Sequence, residues 1–217
     1  MSEKKKTPGV GSRLDLAWYH QICGDLSNWR IDEFIRALGG GEGAILGFVR
    51  GLHFSAQLIY ALRDILGGQT GLKVDWGHLL DKSEAYCSRE CDIIIHRGER
   101  NCWNGGHANP IMDFKFVCQK AAVGVISCKS YLRSGQVDRR YAADLRPFVD
   151  KVWLFAECCE AGQAKVLRKQ AKSAGYDKFW YMYEWSRSES GYRQNEKEWL
   201  DFVDAVRKLK PRGQAGR

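Results

Sequence analysis

The sequence predicts an α/β fold in which a mixed central β-sheet is flanked by helices. Five short runs rich in apolar and β-branched residues are typical of buried strands, and stretches with apolar residues at helical spacing lie before and between them. The chain of 217 residues is 44% hydrophobic and 12% aromatic, which suffices for one sizeable core. Three strands precede the first intervening helix, so the sheet is expected to begin antiparallel.

The N-terminal part is predicted to be helical. Residues 1–12 are polar and contain glycine, so we expect a flexible tail. Apolar residues recur at helical spacing in 13–43, with a break near 25–28, and indicate two short helices. The glycine-rich residues 39–43 lack the Gly-Lys-Ser/Thr ending of a phosphate-binding loop and follow a helix, so they are interpreted as a linker.

The main domain is predicted over residues 44–210, with a flexible tail at 211–217. Its first part, 44–66, has apolar residues at helical spacing and predicts one or two helices lying on the sheet. The predicted strands are 72–80, 91–96, 122–128, 152–158 and 178–185. The remaining predicted helices are 136–148, 162–174 and the amphipathic stretch 195–209.

The charge of the chain favours an anionic partner. Lys plus Arg number 34 against 26 Asp plus Glu, a formal net charge of +8, which favours nucleic acid above other partners. Eight basic residues cluster in and around the two predicted helices that follow residue 129: Arg133, Arg139, Arg140, Arg146, Lys165, Arg168, Lys169 and Lys172. The last four recur at intervals of three and four residues and give one helix a basic stripe able to track phosphates. A merely solvated helix face is the alternative interpretation.

Targeting features and cysteine usage indicate a cytoplasmic protein. The N-terminal sequence has a basic cluster but no apolar run of a secretory signal behind it. No stretch approaches the roughly 20 apolar residues that cross a bilayer, so no membrane association is expected. Several of the eight cysteines lie in apolar runs, where cysteine behaves as a small hydrophobic residue, and we expect reduced thiols.

Two charged residues stand out in the predicted sheet. Asp92 enters an apolar strand, and Lys129 closes another strand that has no other charge. A carboxylate at a strand end can hold Mg²⁺, and a nearby lysine can orient water and stabilise the charge that develops on a phosphate. The pair therefore suits phosphodiester hydrolysis. The alternatives are a turn residue that initiates a strand for Asp92 and a surface lysine for Lys129.

These residues lie in motifs that resemble the PD-(D/E)XK nuclease superfamily, also called the restriction-endonuclease-like fold. The motifs are Ser88-x-x-x-Asp92-Ile-Ile-Ile and Val123-x-x-Ile126-x-x-Lys129-Ser130, and the resemblance covers about residues 44–185. It extends to prokaryotic defence nucleases of that superfamily. The resemblance implies that Asp92 binds metal and that Lys129 is catalytic.

The second acid of the family motif is absent from its usual place. Two residues before Lys129 the sequence has Ser127, and in some restriction enzymes of the superfamily with a Ser-x-Lys motif the acid has moved to the following helix. That resemblance makes Asp144 the first candidate, with Asp92 the other metal ligand, and Asp138 the second candidate. The other acids considered are Glu42, Asp64 and Asp75. On the helix before the first strand, Gln57 or Ser55 occupies the place where the family often has an acid.

The first hypothesis is a Mg²⁺- or Mn²⁺-dependent DNA endonuclease of a prokaryotic restriction or antiphage system, acting as a homodimer or with a defence-system partner. The alternative is a catalytically inactive nuclease-like module that binds nucleic acid or a partner protein, with Ser127 marking the lost acid. A third hypothesis is a zinc-stabilised regulatory domain. Its ligands are Cys87, Cys91, Cys102 and His107, although their spacing fits the common Cys-x2-Cys knuckle poorly and makes Zn²⁺ the weaker expectation.

Overall fold

The computed structural model describes residues 10–28, 43–67, 71–81, 86–98, 102–104, 114–186 and 191–209. The predicted second N-terminal helix, most of the predicted tails and all but the last residue of the glycine-rich linker lie outside these ranges. Among the described helices none is long and apolar enough to span a lipid bilayer.

The described residues form five helices and eight strands. The helices are α1 (Val10–Asn28), α2 (Gly43–Leu66), α3 (Arg139–Leu145), α4 (Ala164–Ser173) and α5 (Glu196–Arg207). The strands are β1 (Leu72–Asp81), β2 (Tyr86–Arg97), β3 (Cys102–Asn104), β4 (Phe114–Cys118), β5 (Ala122–Leu132), β6 (Val152–Glu160), β7 (Lys178–Ser186) and β8 (Gly191–Gln194).

The described strands make one sheet in the order β3-β4-β1-β2-β5-β6-β7-β8. The strands β1, β2 and β5 are antiparallel neighbours, whereas β5, β6 and β7 are parallel. Parallel neighbours need a crossover connection, and α3 and α4 lie in these two crossovers. The prediction of a mixed central sheet flanked by helices, with an antiparallel beginning, is confirmed.

Apolar side chains cover both faces of the sheet. One face is covered by α1, α2 and α5, with Phe54 and Trp199 in its core, and is called the α2 face here. The other is covered by α3 and α4, with Tyr141 and Leu167 in its core, and is called the α3 face. Because helices cover both sides, the aromatic strand β7 buries alternate side chains in each core.

The helices and strands differ from the prediction mainly at their ends. The helix α1 begins at Val10, inside the predicted tail, and continues through residues 25–28, where a break was predicted. The strands β3, β4 and β8 were not predicted, and β2 begins at Tyr86 instead of 91. These segments are short or polar, so they contain no apolar run that predicts a strand. Pairing with a neighbouring strand stabilises them instead.

Candidate active site

The strands β2 and β5 separate partway along the sheet. Their antiparallel ladder ends at the pair Ile93 and Ile126. Beyond this pair β2 continues beside β1, and β5 continues beside β6. The separation forms a fork with Asp92 on one arm and Ser127 and Lys129 on the other. The two motifs noted in the sequence therefore meet where the sheet opens.

The position of Asp92 within its strand corrects the sequence prediction. Asp92 was expected to enter a strand and Lys129 to close one, but both lie inside longer strands. The strand β2 extends past Asp92 because its polar first half still pairs with β1 on one side. Asp92 and Lys129 therefore lie at the fork between two continuing strands and not at a pair of strand ends.

A β-bulge places Asp92 at the fork. In the ladder of β1 and β2, the pair Asp75 and Ile94 is followed by Gly77 and Cys91, so β2 contains one more residue than β1 in this interval. The interval on β2 includes Asp92. A bulge turns a side chain away from the regular alternation and is common beside active sites. This irregularity sets the direction of the Asp92 side chain.

Glycine is required on the strand opposite this bulge. Gly77 has a φ of 152°, and a Cβ at this position would lie 1.8 Å from the carbonyl oxygen of Lys115. The backbone of β4 approaches β1 this closely because Gly77 has no side chain. A larger residue would force β1 and β4 apart directly beside the bulge.

At the fork the Asp92 carboxylate accepts the backbone hydrogen bond that β5 no longer makes to β2. Its Oδ2 accepts a hydrogen bond from the backbone N–H of Cys128 at 2.7 Å. Burial raises the pKa of Asp92, and this N–H, the Lys129 charge and the Ser127 hydroxyl offset only part of that rise, while Glu90 adds to it. The net pKa of Asp92 lies above its usual value. A buried carboxylate with so few partners is unusual in a fold-stabilising role.

The other arm of the fork presents Ser127 and Lys129 on the α3 face. Ser127 is fully buried, and its hydroxyl has no hydrogen-bond partner of standard geometry among the described residues. The hydroxyl of Tyr141, which is 4% exposed, also has none there. Lys129 is partly exposed, and its charge lowers the pKa of both Asp92 and Asp138. Lys129 therefore lies near both carboxylates.

Asp138 is the acid of the following helix that lies near Lys129. It is the N-cap of α3, and its Oδ1 accepts from the backbone N–H groups of Arg140 and Tyr141 at 2.9 and 3.2 Å. Burial raises the pKa of Asp138, but these two N–H groups and the charges of Arg89 and Lys129 outweigh burial, and the net pKa is lowered. The side chain is thus held ionised beside the cleft.

Asp144, the first candidate from the sequence, lies at the rim. It is six residues beyond Asp138, about 9 Å farther along the helix axis. Its side chain is 54% exposed, and Oδ2 lies 3.3 Å from Nη1 of Arg89. Arg89 pairs with both Asp138 and Asp144. The charge of Lys129 lowers the pKa of Asp138, which links this acid to the group of Asp92 and Lys129, and the choice between the two acids stays a prediction.

The remaining predicted acids and their substitutes lie elsewhere. Gln57 belongs to α2, across the sheet from Ser127. On that face burial raises the pKa of the Cys128 thiol well above its usual value, and the nearby Ser55 hydroxyl lowers it only in part. Asp64 accepts a hydrogen bond from the Trp18 indole at 2.7 Å. Asp75 pairs with β2 and α2 side chains on the α2 face, and Glu42 lies outside the described residues.

The predicted nucleic-acid contacts lie on the surface beside the cleft. All seven residues are exposed: Arg133, Arg139, Arg140, Lys165, Arg168, Lys169 and Lys172. The side chain of Gln170 on α4 joins that helix to the loop after β5, since it accepts from Gly135 N at 3.0 Å and donates to Ser134 Oγ at 2.8 Å. The basic residues of α4 therefore lie beside Arg133 of this loop.

Two of the predicted basic residues also form ion pairs. Arg168 binds Glu198 on α5, so part of its charge is neutralised. Arg146 lies 3.0 Å from Asp177 and donates to the carbonyl of Gly175 at 2.5 Å, which ties α3 to the start of β7. Arg146 therefore has a structural role in the described residues.

Sequence reasoning missed Arg89, Tyr141 and Tyr176. Arg89 lies three residues before Asp92 and pairs with both acids of α3. The Tyr176 hydroxyl donates to the backbone carbonyl of Asp138 at 3.1 Å. The position of Arg89 inside the motif around Asp92 was an available signal. No sequence pattern indicated the two tyrosines, because chain folding alone brings them to the cleft.

Only two of the four proposed zinc ligands have described side chains. Cys91 is buried and its thiol lies 3.5 Å from the carbonyl oxygen of Arg89, while Cys87 is partly exposed. The side chain of Cys102 and the whole of His107 lie outside the described residues. Among the side chains that are described, no three His, Cys, Asp or Glu residues form a cluster able to hold a metal ion.

The fold matches solved structures of NucC proteins. P. aeruginosa ATCC27853 NucC in its cAAA-bound form matches with a TM-score of 0.61 and 10% identity, over 95% of this chain and 94% of that chain. E. coli MS115-1 NucC matches in its cAAA-bound form with a TM-score of 0.58, 10% identity and 96% and 94% coverage. Its apo form gives 0.52, 10% and 92% of each chain. At this identity the likeness shows a common fold.

The sequence comparisons give no family assignment. No protein-family model matches the chain, and no curated protein sequence matches it either.

Proposed function

We propose that the chain is a metal-dependent nuclease of the PD-(D/E)XK type that hydrolyses phosphodiester bonds. The observation that carries this proposal is the fork between β2 and β5, which brings the Asp92 carboxylate, the buried Ser127 hydroxyl and the Lys129 ammonium to one cleft. The motif resemblance and the fold shared with NucC support the same proposal.

Mg²⁺ or Mn²⁺ is the proposed cofactor. The donors fit a hard cation, because Asp92 and Asp138 offer carboxylate oxygens and Ser127 offers a buried hydroxyl without a partner among the described residues. A bound ion supplies Lewis-acid stabilisation of the phosphate and a more acidic water. Among described side chains this set holds two carboxylates and no third acid, which favours an ion that keeps several water ligands.

The chain's own contribution to hydrolysis centres on Lys129. Its ammonium donates hydrogen bonds from the edge of the cleft, where it orients the attacking water and stabilises negative charge on the phosphate oxygens. Asp92 is fixed by the Cys128 N–H, so its free oxygen keeps a defined direction. The helix α3 packs against β2 and β6 on the face where Ser127 and Lys129 lie.

The proposed substrate is DNA, and the proposed setting is a prokaryotic restriction or antiphage system. The exposed basic residues of α3, α4 and the loop after β5 are proposed to bind the phosphates on either side of the cleaved bond. The expected homodimer or defence-system partner stays a prediction, which light scattering of the purified chain checks.

A catalytically inactive nucleic-acid-binding module is the second candidate. It is favoured by Ser127 at the usual acid position and by the ion pair of Asp138 with Arg89, which engages the only other acid near Lys129 among the described residues. This candidate requires the same basic surface but no turnover.

Cleavage of plasmid and of single- and double-stranded oligonucleotides with Mg²⁺ or Mn²⁺ tests the proposal. We expect Lys129→Ala and Asp92→Asn to lose at least about a hundredfold in rate, the usual cost of removing a group that stabilises the transition state. Lys120→Ala is the matched control, because Lys120 is an exposed lysine in the turn before β5, at the opposite end of that strand. It should cleave at the wild-type rate.

Binding and turnover separate the two candidates. Charge reversal of Lys165 and Lys169 should weaken DNA binding and reduce its salt dependence, whereas Lys120→Glu should not. Wild-type protein that binds DNA through this surface but cleaves no substrate with either metal supports the binding module. Equal cleavage by wild type, Lys129→Ala and Asp92→Asn would reveal a contaminating nuclease and remove the catalytic assignment.

A further inference from the structure

The guanidinium of Arg89 lies against both acids of α3. Nη2 is 3.5 Å from Oδ2 of Asp138, and Nη1 is 3.3 Å from Oδ2 of Asp144. The group also stacks on Tyr141, with Cζ 4.7 Å from the ring centroid. The Arg89 side chain is 38% exposed. One cation from β2 therefore bridges the beginning and the last turn of the helix that follows Lys129.

The two carboxylate oxygens of Asp138 have different partners. Oδ1 caps α3 by accepting from the N–H groups of Arg140 and Tyr141. Oδ2 faces Arg89. Because the cap depends on Oδ1, the cation beside Oδ2 can be exchanged without uncapping the helix. Asp138 can therefore keep its structural role while its second oxygen changes partner.

Two buried oxygens on the inner side of the cleft are available as ligands. The hydroxyls of Ser127 and Tyr141 are each more than nine-tenths buried, and neither makes a hydrogen bond of standard geometry to another described residue. The Ser127 hydroxyl lowers the pKa of both Asp92 and Tyr176, so it lies near both of these side chains. Buried polar atoms without partners mark places where a ligand or an ordered water gains hydrogen bonds.

We propose that Arg89 is the resident counter-charge of Asp138, and that a divalent cation held by Asp92 and Asp138 displaces the guanidinium from Oδ2. This inference rests on the proposed function, since it uses the same two carboxylates. A guanidinium and a divalent cation repel each other across one oxygen, so they compete for it. Asp144 and Tyr141 continue to hold the displaced side chain. Arg89 is thus a positioning residue that sets metal affinity through Asp138.

The test is the Mn²⁺ affinity of the full chain without nucleic acid, measured from the electron paramagnetic resonance signal of free Mn²⁺ at low salt. Arg89→Met keeps the length of the side chain and removes the charge. We expect it to bind Mn²⁺ about two- to fivefold more tightly, the range for one partly exposed ion pair. Arg89→Lys should restore an affinity near that of the wild type.

Arg13→Met is the matched control, because Arg13 is an exposed arginine on α1, which covers the opposite face of the sheet from α3. Its affinity should stay within experimental error of the wild type. In the double variant Arg89→Met/Asp138→Asn the gain should disappear, because the oxygen released by Arg89 is then uncharged. Thermal unfolding of each variant shows whether it is folded.

Several outcomes overturn the assignment. The first is an affinity of Arg89→Met equal to or weaker than that of Arg13→Met. The second is a gain that persists with Asp138→Asn, and the third is no Mn²⁺ binding by either wild type or Arg89→Met. The readout needs no substrate, so its failure is separate from that of the proposed function. A protein without nuclease activity that shows the gain supports the role of Arg89, and an active nuclease without the gain refutes it.

Discussion

Asp75 and Asp92 lie on the neighbouring strands β1 and β2, but their surroundings differ. Asp75 has a side-chain partner on each oxygen, with His96 Nε2 at 2.7 Å and Arg63 Nη2 at 2.6 Å. Burial raises the pKa of Asp75, but His96 and then Arg63 outweigh it, so the net pKa is lowered. Asp92 has one backbone N–H, from Cys128, and its net pKa is raised.

Glu157 on β6 is a second carboxylate with all its oxygens engaged. It is fully buried, and Nε of Arg50 donates to its two oxygens at 3.0 and 3.1 Å. The Tyr183 hydroxyl also donates to Oε1. This cluster and the Asp75 cluster both lie on the α2 face.

The comparison distinguishes carboxylates that stabilise the fold from one that is available for chemistry. A buried charge costs free energy unless it is paired and hydrogen-bonded, and Asp75 and Glu157 meet that condition. Asp92 meets it only in part, and a perturbed carboxylate in a cleft is a candidate functional group. Asp75 and Glu157, whose oxygens all have partners and which are called the saturated acids here, lie on the α2 face, whereas Asp92 at the fork is only partly paired.

The largest expected change in the free energy of unfolding follows from removing the cation that pairs with Glu157. Arg50→Met leaves a buried carboxylate without its cation and should lower the free energy of unfolding by about 3 kcal/mol. Urea denaturation measures this change. Lys208→Met removes the exposed ion pair with Asp204 and should cost less than about 1 kcal/mol. Similar losses in the two variants would show that Glu157 is not a saturated structural acid.

A smaller loss of stability is expected when the charge of Asp75 is removed. Asp75→Asn removes a charge that His96 and Arg63 stabilise and should cost about 1–3 kcal/mol at pH 7. The folded pKa of Asp75 is lowered, so its contribution is present above the unfolded value of about 3.9 and is lost as the pH falls through the folded pKa. Thermal unfolding of both proteins from pH 7 to pH 3 should show the gap closing. A constant gap would indicate a packing defect instead.

The smallest change is expected when the charge of Asp92 is removed, and this change is a gain of stability. Asp92→Asn keeps an oxygen for the Cys128 N–H and removes a charge with a raised pKa, so it should raise the melting temperature at pH 7. One kcal/mol corresponds to about 2–4 °C in a chain of this size.

The pH dependence checks the sign of the Asp92 effect. A raised folded pKa means that wild-type stability falls as the pH rises from the unfolded value of about 3.9 through the folded pKa. Asp92→Asn should therefore match the wild type near pH 3 and exceed it at pH 7. A variant that is less stable at pH 7 would place Asp92 with the saturated acids.

Much of the fold was predictable from the sequence because buried elements carry local signals. The five predicted strands are all present, since their apolar runs reflect burial on both faces. The edge strands β3 and β8 escaped prediction, because the pairing partner that stabilises a short strand is distant in the sequence. The helix α3 is shorter than the predicted 136–148 because Asp138 caps it.

The candidate site was predictable only in part. The pattern around Asp92 and Lys129 identified two residues that the structure brings to one fork. The sequence ranked Asp144 above Asp138 by its spacing, since both lie on one short helix. The ion pairs of Arg89 on β2 with Asp138 and Asp144 depend on how α3 packs against the sheet. The spacing of residues along the sequence does not reveal this packing.

The sequence by itself determined the mixed α/β class, the apolar strands and the motif that contains Asp92, Ser127 and Lys129, because periodicity and residue type are local properties of the chain. Tertiary structure alone decided where β2 and β5 part, which acids acquire full sets of partners and which hydroxyls are buried without one. These features arise from register, bulges and helix packing, which join residues far apart in the sequence.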